Sequence, residues 1–225
     1  MSEETMSRIY LKIPVERAGS LIGEKGGTKV ELEKGTGSHI EVDGKTGEVV
    51  IEMDASAGTR DPSGVLKARD IVNAIGRGFS PERAFRLFTD GQMLEVVDLK
   101  QALGESRSQM QRIKGRIIGE NGKTRRIIES LTGTVVSVYG HTVSIIGEYE
   151  EIIVAKEAVA MLVKGAMHGS VYRYLNKEHA ELKKKRMSLW EARPALKEAA
   201  PKEVGGGGDE DGGAGSEVSD DVGDD

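Results

Sequence analysis

Residues 115–126 read GRIIGENGKTRR, and the parsing of this stretch decides the fold. Its second half ends in Gly122-Lys123-Thr124, the G-K-[ST] close of a nucleotide-binding P-loop. A P-loop also needs a glycine five positions before Gly122, so that consecutive backbone amides can wrap a pyrophosphate. That position holds Ile117, with Gly115 and Gly119 on either side. What stands is Ile118-Gly119-Glu120-Asn121-Gly122, an I-G-x-x-G. A loop this tight suits one sugar-phosphate chain better than a triphosphate.

The stretch has a twin. Sliding the chain by 96 residues lays LIGEKGGTKVELEKGTGSHIEVDGKT over IIGENGKTRRIIESLTGTVVSVYGHT without a gap. The identical pairs include Gly23/Gly119, Glu24/Glu120, Gly26/Gly122, Thr28/Thr124, Glu33/Glu129, Thr36/Thr132, Gly37/Gly133 and Gly44/Gly140. Both loop glycines, a helix-stopping T-G and an alternating apolar strand repeat together, so the chain contains two copies of one unit.

Each copy reads locally as β-α-α-β-β-α. In the first, RIYLKIP alternates as a strand ended by Pro14, and VERAGSLI follows as a helix with Val15, Ala18, Leu21 and Ile22 on one side. The glycine loop precedes a helix from about Thr28 to Lys34. SHIEVDG and GEVVIEM form a hairpin around Asp43-Gly44. Asp61-Pro62-Ser63 caps a helix that turns Val65, Ala68, Ile71, Val72 and Ile75 inward, and a short helix starts at Ser80-Pro81. The second copy repeats the order from QMLEVVDL to EIIVAKEAVAMLVKG, with a longer loop, LKQALGESRSQ, before its first helix. An amphipathic segment from about Tyr172 to Trp190 remains. It carries Tyr174, Leu175, Leu182 and Leu189 on its apolar side and exposes KKKR, Lys183 to Arg186.

Composition narrows the function. The net charge of -5 misleads, because eight acids and no base lie beyond residue 204; residues 1–204 carry 32 basic against 29 acidic side chains, +3. That glycine-rich acidic tail buries too little to order itself. The chain has no cysteine and its four histidines lack ligand spacing, so no metal or cofactor site is expected. The polar N-terminus lacks a signal-peptide core, and IIVAKEAVAMLV is short of a membrane span. The expectation is a cytoplasmic protein with neither a membrane partner nor a small-molecule substrate.

The order of elements, with I-G-x-x-G between the first two helices, resembles the type I KH domain in both copies. The resemblance implies an α+β fold of two three-stranded antiparallel sheets, each with helices on one face, plus a C-terminal helix and a disordered tail. Boundaries are expected at residues 1–90 and 91–170 for the two domains, 171–192 for the helix and 193–225 for the tail. In that family the loop clamps about four nucleotides of single-stranded backbone against a groove of helix and second strand. The loop glycines remove Cβ atoms that would hold the strand away, and helix-start amides face its phosphates.

Carried onto this chain, the RNA-contacting residues are Gly119, Glu120, Asn121, Gly122, Lys123, Arg125, Arg126, Arg116 and Lys114 in copy two. In copy one they are Gly23, Glu24, Lys25, Gly26 and Lys29. The groove floor falls on Ile40, Val42, Val136 and Val138. Copy two has the denser cations, with Arg112 added, whereas Glu16, Glu24 and Glu31 oppose Arg17, Lys25 and Lys29 in copy one. Phosphate attraction therefore favours copy two as the main RNA site.

The segment ARDIVNAIGRGFSPERAFRLF (Ala68 to Phe88) narrows the resemblance to the small-subunit ribosome assembly family called partner of Nob, in its archaeal form. That family binds the 3′ region of small-subunit rRNA beside the Nob endonuclease and performs no cleavage itself. Copy one, whose GEKG loop is intact, is either a second RNA contact or a protein-facing surface. Two competing readings are a KH module of another pathway, in RNA decay or transcription, and a nucleotide-binding enzyme. No Walker B-like strand supports the enzyme. The H-x-E of zinc deaminases occurs at His39-Ile40-Glu41 and His179-Ala180-Glu181 without the cysteines that chemistry requires.

Overall fold

The computed structural model describes residues 8–53 and 62–191. The N-terminal residues, the candidate cap Asp61 and the acidic tail lie outside the described residues, as do the side chains of Leu189 and Trp190.

In copy one, β1 (Ile9–Lys12) sends Ile9 and Leu11 toward the core and leaves Tyr10 and Lys12 exposed, the period of two that its sequence dictates. Pro14 precedes α1 (Val15–Ile22), which buries Ala18 and Leu21. Val15, expected on the same side, is 51% exposed because it occupies the first helical position, ahead of the packed turn. After the glycine loop come α2 (Gly27–Thr36), β2 (Ser38–Val42) and β3 (Glu48–Met53). The connection between these strands is longer than the expected Asp43-Gly44 turn. Asp43 closes it by accepting from Lys45 N at 2.8 Å and Thr46 Oγ1 at 2.9 Å. These bonds hold the Asp43 carboxyl below its ordinary pKa, the Lys45 amide contributing most. The strands form an antiparallel sheet in the order β1-β3-β2. α3 (Pro62–Gly76) lies against it with Val65, Ala68, Ile71, Val72 and Ile75 all buried.

A short helix, α4 (Pro81–Ala84), runs into a 3-10 turn, Phe85–Phe88. Copy two then repeats the fold with β4 (Gln92–Asp98), α6 (Arg107–Ile118), α7 (Lys123–Thr132), β5 (Val135–Tyr139), β6 (Thr142–Glu148) and α8 (Tyr149–Val163). Its sheet order is β4-β6-β5. The segment expected to be loop contains one more helix, α5 (Leu99–Leu103), capped by the Asp98 carboxylate on Lys100 N and anchored by buried Leu99.

The identities between the copies have a structural cause. Glu33 accepts Ile40 N–H at 2.8 Å, and Glu129 accepts Val136 N–H at 2.8 Å, each tying the second helix to the strand that follows. Thr36 and Thr132 donate to Leu32 O and Ile128 O, both at 2.8 Å, and then meet Ser38 and Thr134. Gly37 and Gly133 end the helices at positive φ, 61° and 80°.

The copies pack against each other. Phe79 and Leu87 of copy one share a core with Ile146, and Leu94 and Val135 pack against it, so copy one covers the outer face of the second sheet. Ser137 Oγ donates to Arg77 O at 3.0 Å, the Tyr139 hydroxyl donates to Glu16, and Arg83 pairs with Glu129.

The last helix, α9 (His168–Glu191), starts four residues before its expected position. Val171 and Leu175 enter the second core, with Tyr174 and Leu182 against it. Lys183 to Arg186 are all exposed as expected, and Lys185 also pairs with Glu150 and Arg186 with Glu151 at the start of α8. Among the described residues no helix is long and apolar enough to cross a membrane, and no cluster of three or more His, Asp or Glu side chains is placed to hold a metal.

Candidate nucleic-acid interface

The two glycine loops have the same backbone. Gly23 and Gly119 have φ of 75° and 73°, Gly26 and Gly122 of 81° and 75°, and between them Lys25 and Asn121 are left-handed at 51° and 49°. A non-glycine residue in that region costs roughly 1–2 kcal/mol, and such strain concentrates at functional loops. The two glycines of each loop do different things. A Cβ on Gly119 would lie 2.3 Å from Thr124 Oγ1, and one on Gly23 would lie 2.2 Å from Thr28 Oγ1. The first glycine therefore makes room for the protein's own threonine. A Cβ on Gly26 or Gly122 would meet nothing within 4 Å, so the last glycine faces open space where a strand can approach.

Among the described residues, nothing covers the tip of either loop. Glu24, Lys25, Glu120 and Asn121 are exposed. The last glycine of each loop is the N-cap of the following helix, and no side chain caps α2 or α7. The loop itself takes the first amide of each helix, Gly27 N–H donating to Glu24 O and Lys123 N–H to Glu120 O, and the positive end of each helix dipole lies at the loop, where it favours a phosphate.

The cations expected around the second loop divide into two groups. Lys123 and Arg126 are exposed, and Arg126 Nη2 donates to Asn121 O at 2.8 Å, which steadies the loop tip. Arg125 is half-buried, and its Nε is shielded from solvent without a hydrogen-bond partner. Lys114 Nζ donates to Gly140 O at 3.0 Å, joining α6 to the β5–β6 turn. Arg116 is held by the protein's own backbone. Its guanidinium binds Leu162 O at 2.9 Å and Ala166 O, satisfying carbonyls at the C-terminal end of α8. Copy one uses Arg17 in the same way, on Ile75 O at 3.0 Å and on Phe79 O. There Lys25 is exposed, and Lys29 lies 3.7 Å from Glu33.

Two of the expected groove residues are core residues instead. Ile40 and Val136 are 0% exposed, because the strand alternation that carries them also points them at α3 and α8. Val42 and Val138, nearer the strand ends, are partly exposed, and each packs against the edge of its own core. On the β5 side of α6 a trench of about 470 Å³ runs between the helix and the β5–β6 turn, one helical turn before the loop. Lys100, Arg107, Lys114 and His141 line it, with Glu105 as its acid.

Sequence reasoning missed Thr28 and Thr124 as shapers of the loop, although their identity across the repeat was a usable signal. It also missed His168 and Tyr172, which α9 brings against the second loop. His168 Nε2 lies 3.0 Å from Arg116 O, and the Tyr172 hydroxyl lies 3.1 Å from Thr124 Oγ1. Copy one has no repeat partner for either residue that could have flagged them.

Two open I-G-x-x-G loops, each between the first two helices of a β-α-α-β-β-α unit, define a nucleic-acid-binding protein of the type I KH class. Comparison with known proteins agrees: residues 93–180 match the Eukaryotic type KH-domain (KH-domain type I) family, in its second-domain Pno1 form, and residues 16–90 match the Krr1 KH1 domain. A KH domain-containing protein of Methanocaldococcus jannaschii is 48% identical over 181 residues, covering 80% of this chain and 78% of that protein. The aDim2p-containing crystal structure of an a/eIF2alpha–aDim2p–rRNA complex from Pyrococcus horikoshii aligns with a TM-score of 0.74 at 50% identity, over 80% of this chain and 97% of the other. The chain belongs to the archaeal Dim2p/Pno1 family of proteins with two KH domains. The pre-rRNA-processing protein pno1 of Schizosaccharomyces pombe is 30% identical over 136 residues, and this chain spans 56% of its length.

Proposed function

We propose that this protein binds single-stranded rRNA through its glycine loops and acts, without catalysing a reaction, in the biogenesis of the small ribosomal subunit. The observation that carries the reading is the open second loop: left-handed Asn121, an unobstructed Gly122, the N-terminus of α7 with no side-chain cap, and exposed Lys123 and Arg126 converge on one surface. The rRNA present in the complex of the Pyrococcus relative supports the substrate class. The target is the 3′ region of small-subunit rRNA, reached in the cytoplasm beside the Nob endonuclease. Gly119, Glu120, Asn121, Gly122, Lys123, Arg125 and Arg126 form the main clamp, with Lys114 at its flank. Gly23, Glu24, Lys25, Gly26 and Lys29 form the weaker one.

Crosslinking the protein to RNA in its own cells, followed by sequencing of the attached RNA, tests this. The reading requires a pile-up near the 3′ end of small-subunit rRNA; signal scattered over messenger RNA rejects it in favour of another KH pathway. Co-purification of the endonuclease with the tagged protein tests the partnership separately.

A further inference from the structure

The helix α9 stands outside the β-α-α-β-β-α unit, yet its first turns brace the second glycine loop through Tyr172 on Thr124 and His168 on Arg116 O. It also creates space. A depression of about 390 Å³ lies between α6, the loop and α9, bounded by Arg112, Gly119, Lys123 and Tyr172. A second, of about 510 Å³, lies between α7 and α9 over Ile127 and Leu131. They meet at Lys123 and Tyr172, which line both, and form one trough leading away from the loop. Glu120 is the one carboxylate among the lining residues, against the cations Arg112, Arg116, Lys123 and Arg126.

The chemistry of the second depression fits a nucleotide. Lys123 and Arg126 supply charge at its mouth, next to the N-terminus of α7. Ile127, Leu131 and the ring of half-buried Tyr172 supply an apolar wall, and exposed Asn176 supplies an amide at the rim. Cations for the backbone beside an aromatic or apolar face for the base are the two parts from which single-strand sites are built. The volume falls in the range of about 300–1,000 Å³ that small-ligand sites occupy. Copy one is followed by α4 and a 3-10 turn that pack on the second sheet, so among the described residues α9 gives this trough to copy two alone.

We propose that the cleft between α7 and α9 is a second RNA subsite, which seats a nucleotide flanking the clamped stretch, its phosphate on Lys123 and Arg126 and its base against Tyr172 and Asn176. The proposal rests on the glycine loop being the RNA clamp. It makes α9 part of the RNA surface and lengthens the strand that copy two reads.

The test measures affinity of the full chain for single-stranded fragments from the 3′ end of small-subunit rRNA, a core of about four nucleotides and the same core extended at either end to about eight. One of the two extensions should tighten binding by at least about fivefold. Asn176→Glu, a surface substitution that puts a negative charge into the cleft, should erase that gain and leave the core fragment bound as before. Tyr172→Ala should erase it as well. If neither extension tightens binding to the unaltered protein, or if Asn176→Glu keeps the whole gain, the subsite is wrong. The paired change Glu120→Asp with Asn121→Asp tests the clamp independently: core binding that survives it removes the clamp, whereas core binding lost there and a gain retained in Asn176→Glu removes the subsite alone.

Discussion

Glu129 holds two partners on one carboxylate oxygen, the backbone N–H of Val136 in its own copy and the guanidinium of Arg83 in the other. Its repeat twin Glu33 makes the equivalent bond to Ile40 N, but the basic side chains beside it, Lys29 and His39, belong to the same copy. Glu129→Ala should therefore destabilise the protein more than Glu33→Ala, by about 1 kcal/mol for this partly exposed pair. Urea unfolding measures the difference. Arg83→Ala should cost less in the Glu129→Ala background than alone; equal costs in both backgrounds would mean that the ion pair does not join the copies.

The two glycines of the second loop should respond differently to alanine. Gly119→Ala meets both a φ of 73° and Thr124 Oγ1 at 2.3 Å, with Thr124 N at 2.7 Å. It should cost about 3 kcal/mol of stability. Gly122→Ala meets only its φ of 75°, an expected loss of about 1 kcal/mol. Because its new methyl projects into the space before the loop, it should weaken RNA binding more than it weakens the fold. Unfolding curves and titration with RNA on the same samples separate the two effects.

Tyr139 gives the junction of the copies a dependence on alkaline pH. Its hydroxyl donates to Glu16, which raises its pKa above 10.0; burial and the Glu16 charge push the same way, and Arg17 opposes them. A phenol whose folded pKa is raised contributes stability that is fully present below its ordinary value and is lost as pH rises through the folded one. Between about pH 8 and about pH 11 the unaltered protein should lose more stability than Tyr139→Phe, as read by urea unfolding. Parallel losses would show that the bond does not contribute.

Ionic strength reports how many phosphates the clamp neutralises. Four contacts at about 0.7 each predict a slope of about -3 in log affinity against log salt. Lys123→Ala should make the slope shallower by about 0.7. A flat response in the unaltered protein would contradict phosphate recognition.

The sequence made the repeated unit legible because local rules govern it. Glycines at positive φ, strand alternation and the T-G helix stops each act within a few residues, and the same rules act twice at an offset of 96. Long-range relations were not legible. Arg116 and Arg17 look like phosphate ligands in the sequence, but each binds carbonyls at the end of a helix roughly fifty residues away or more. Ile40 and Val136 could be assigned to a strand but not to one of its faces, and burial in the two cores decided that. α5 escaped because five residues are too few to show a helical period. The contribution of α9 to the second loop escaped because Tyr172 and Thr124, 48 residues apart, meet only once α9 folds back along α7.

The most direct test of the account replaces Glu120 and Asn121 together with aspartate. Aspartate tolerates the left-handed backbone that Asn121 adopts at φ 49°, so the fold should survive with its thermal unfolding nearly unchanged. The added negative charge stands where the account puts a phosphate chain, and affinity for the 3′-region rRNA fragment should fall to the level of non-specific binding. Unchanged affinity in a protein with an unchanged melting curve would contradict the glycine loop as the place where this protein holds RNA.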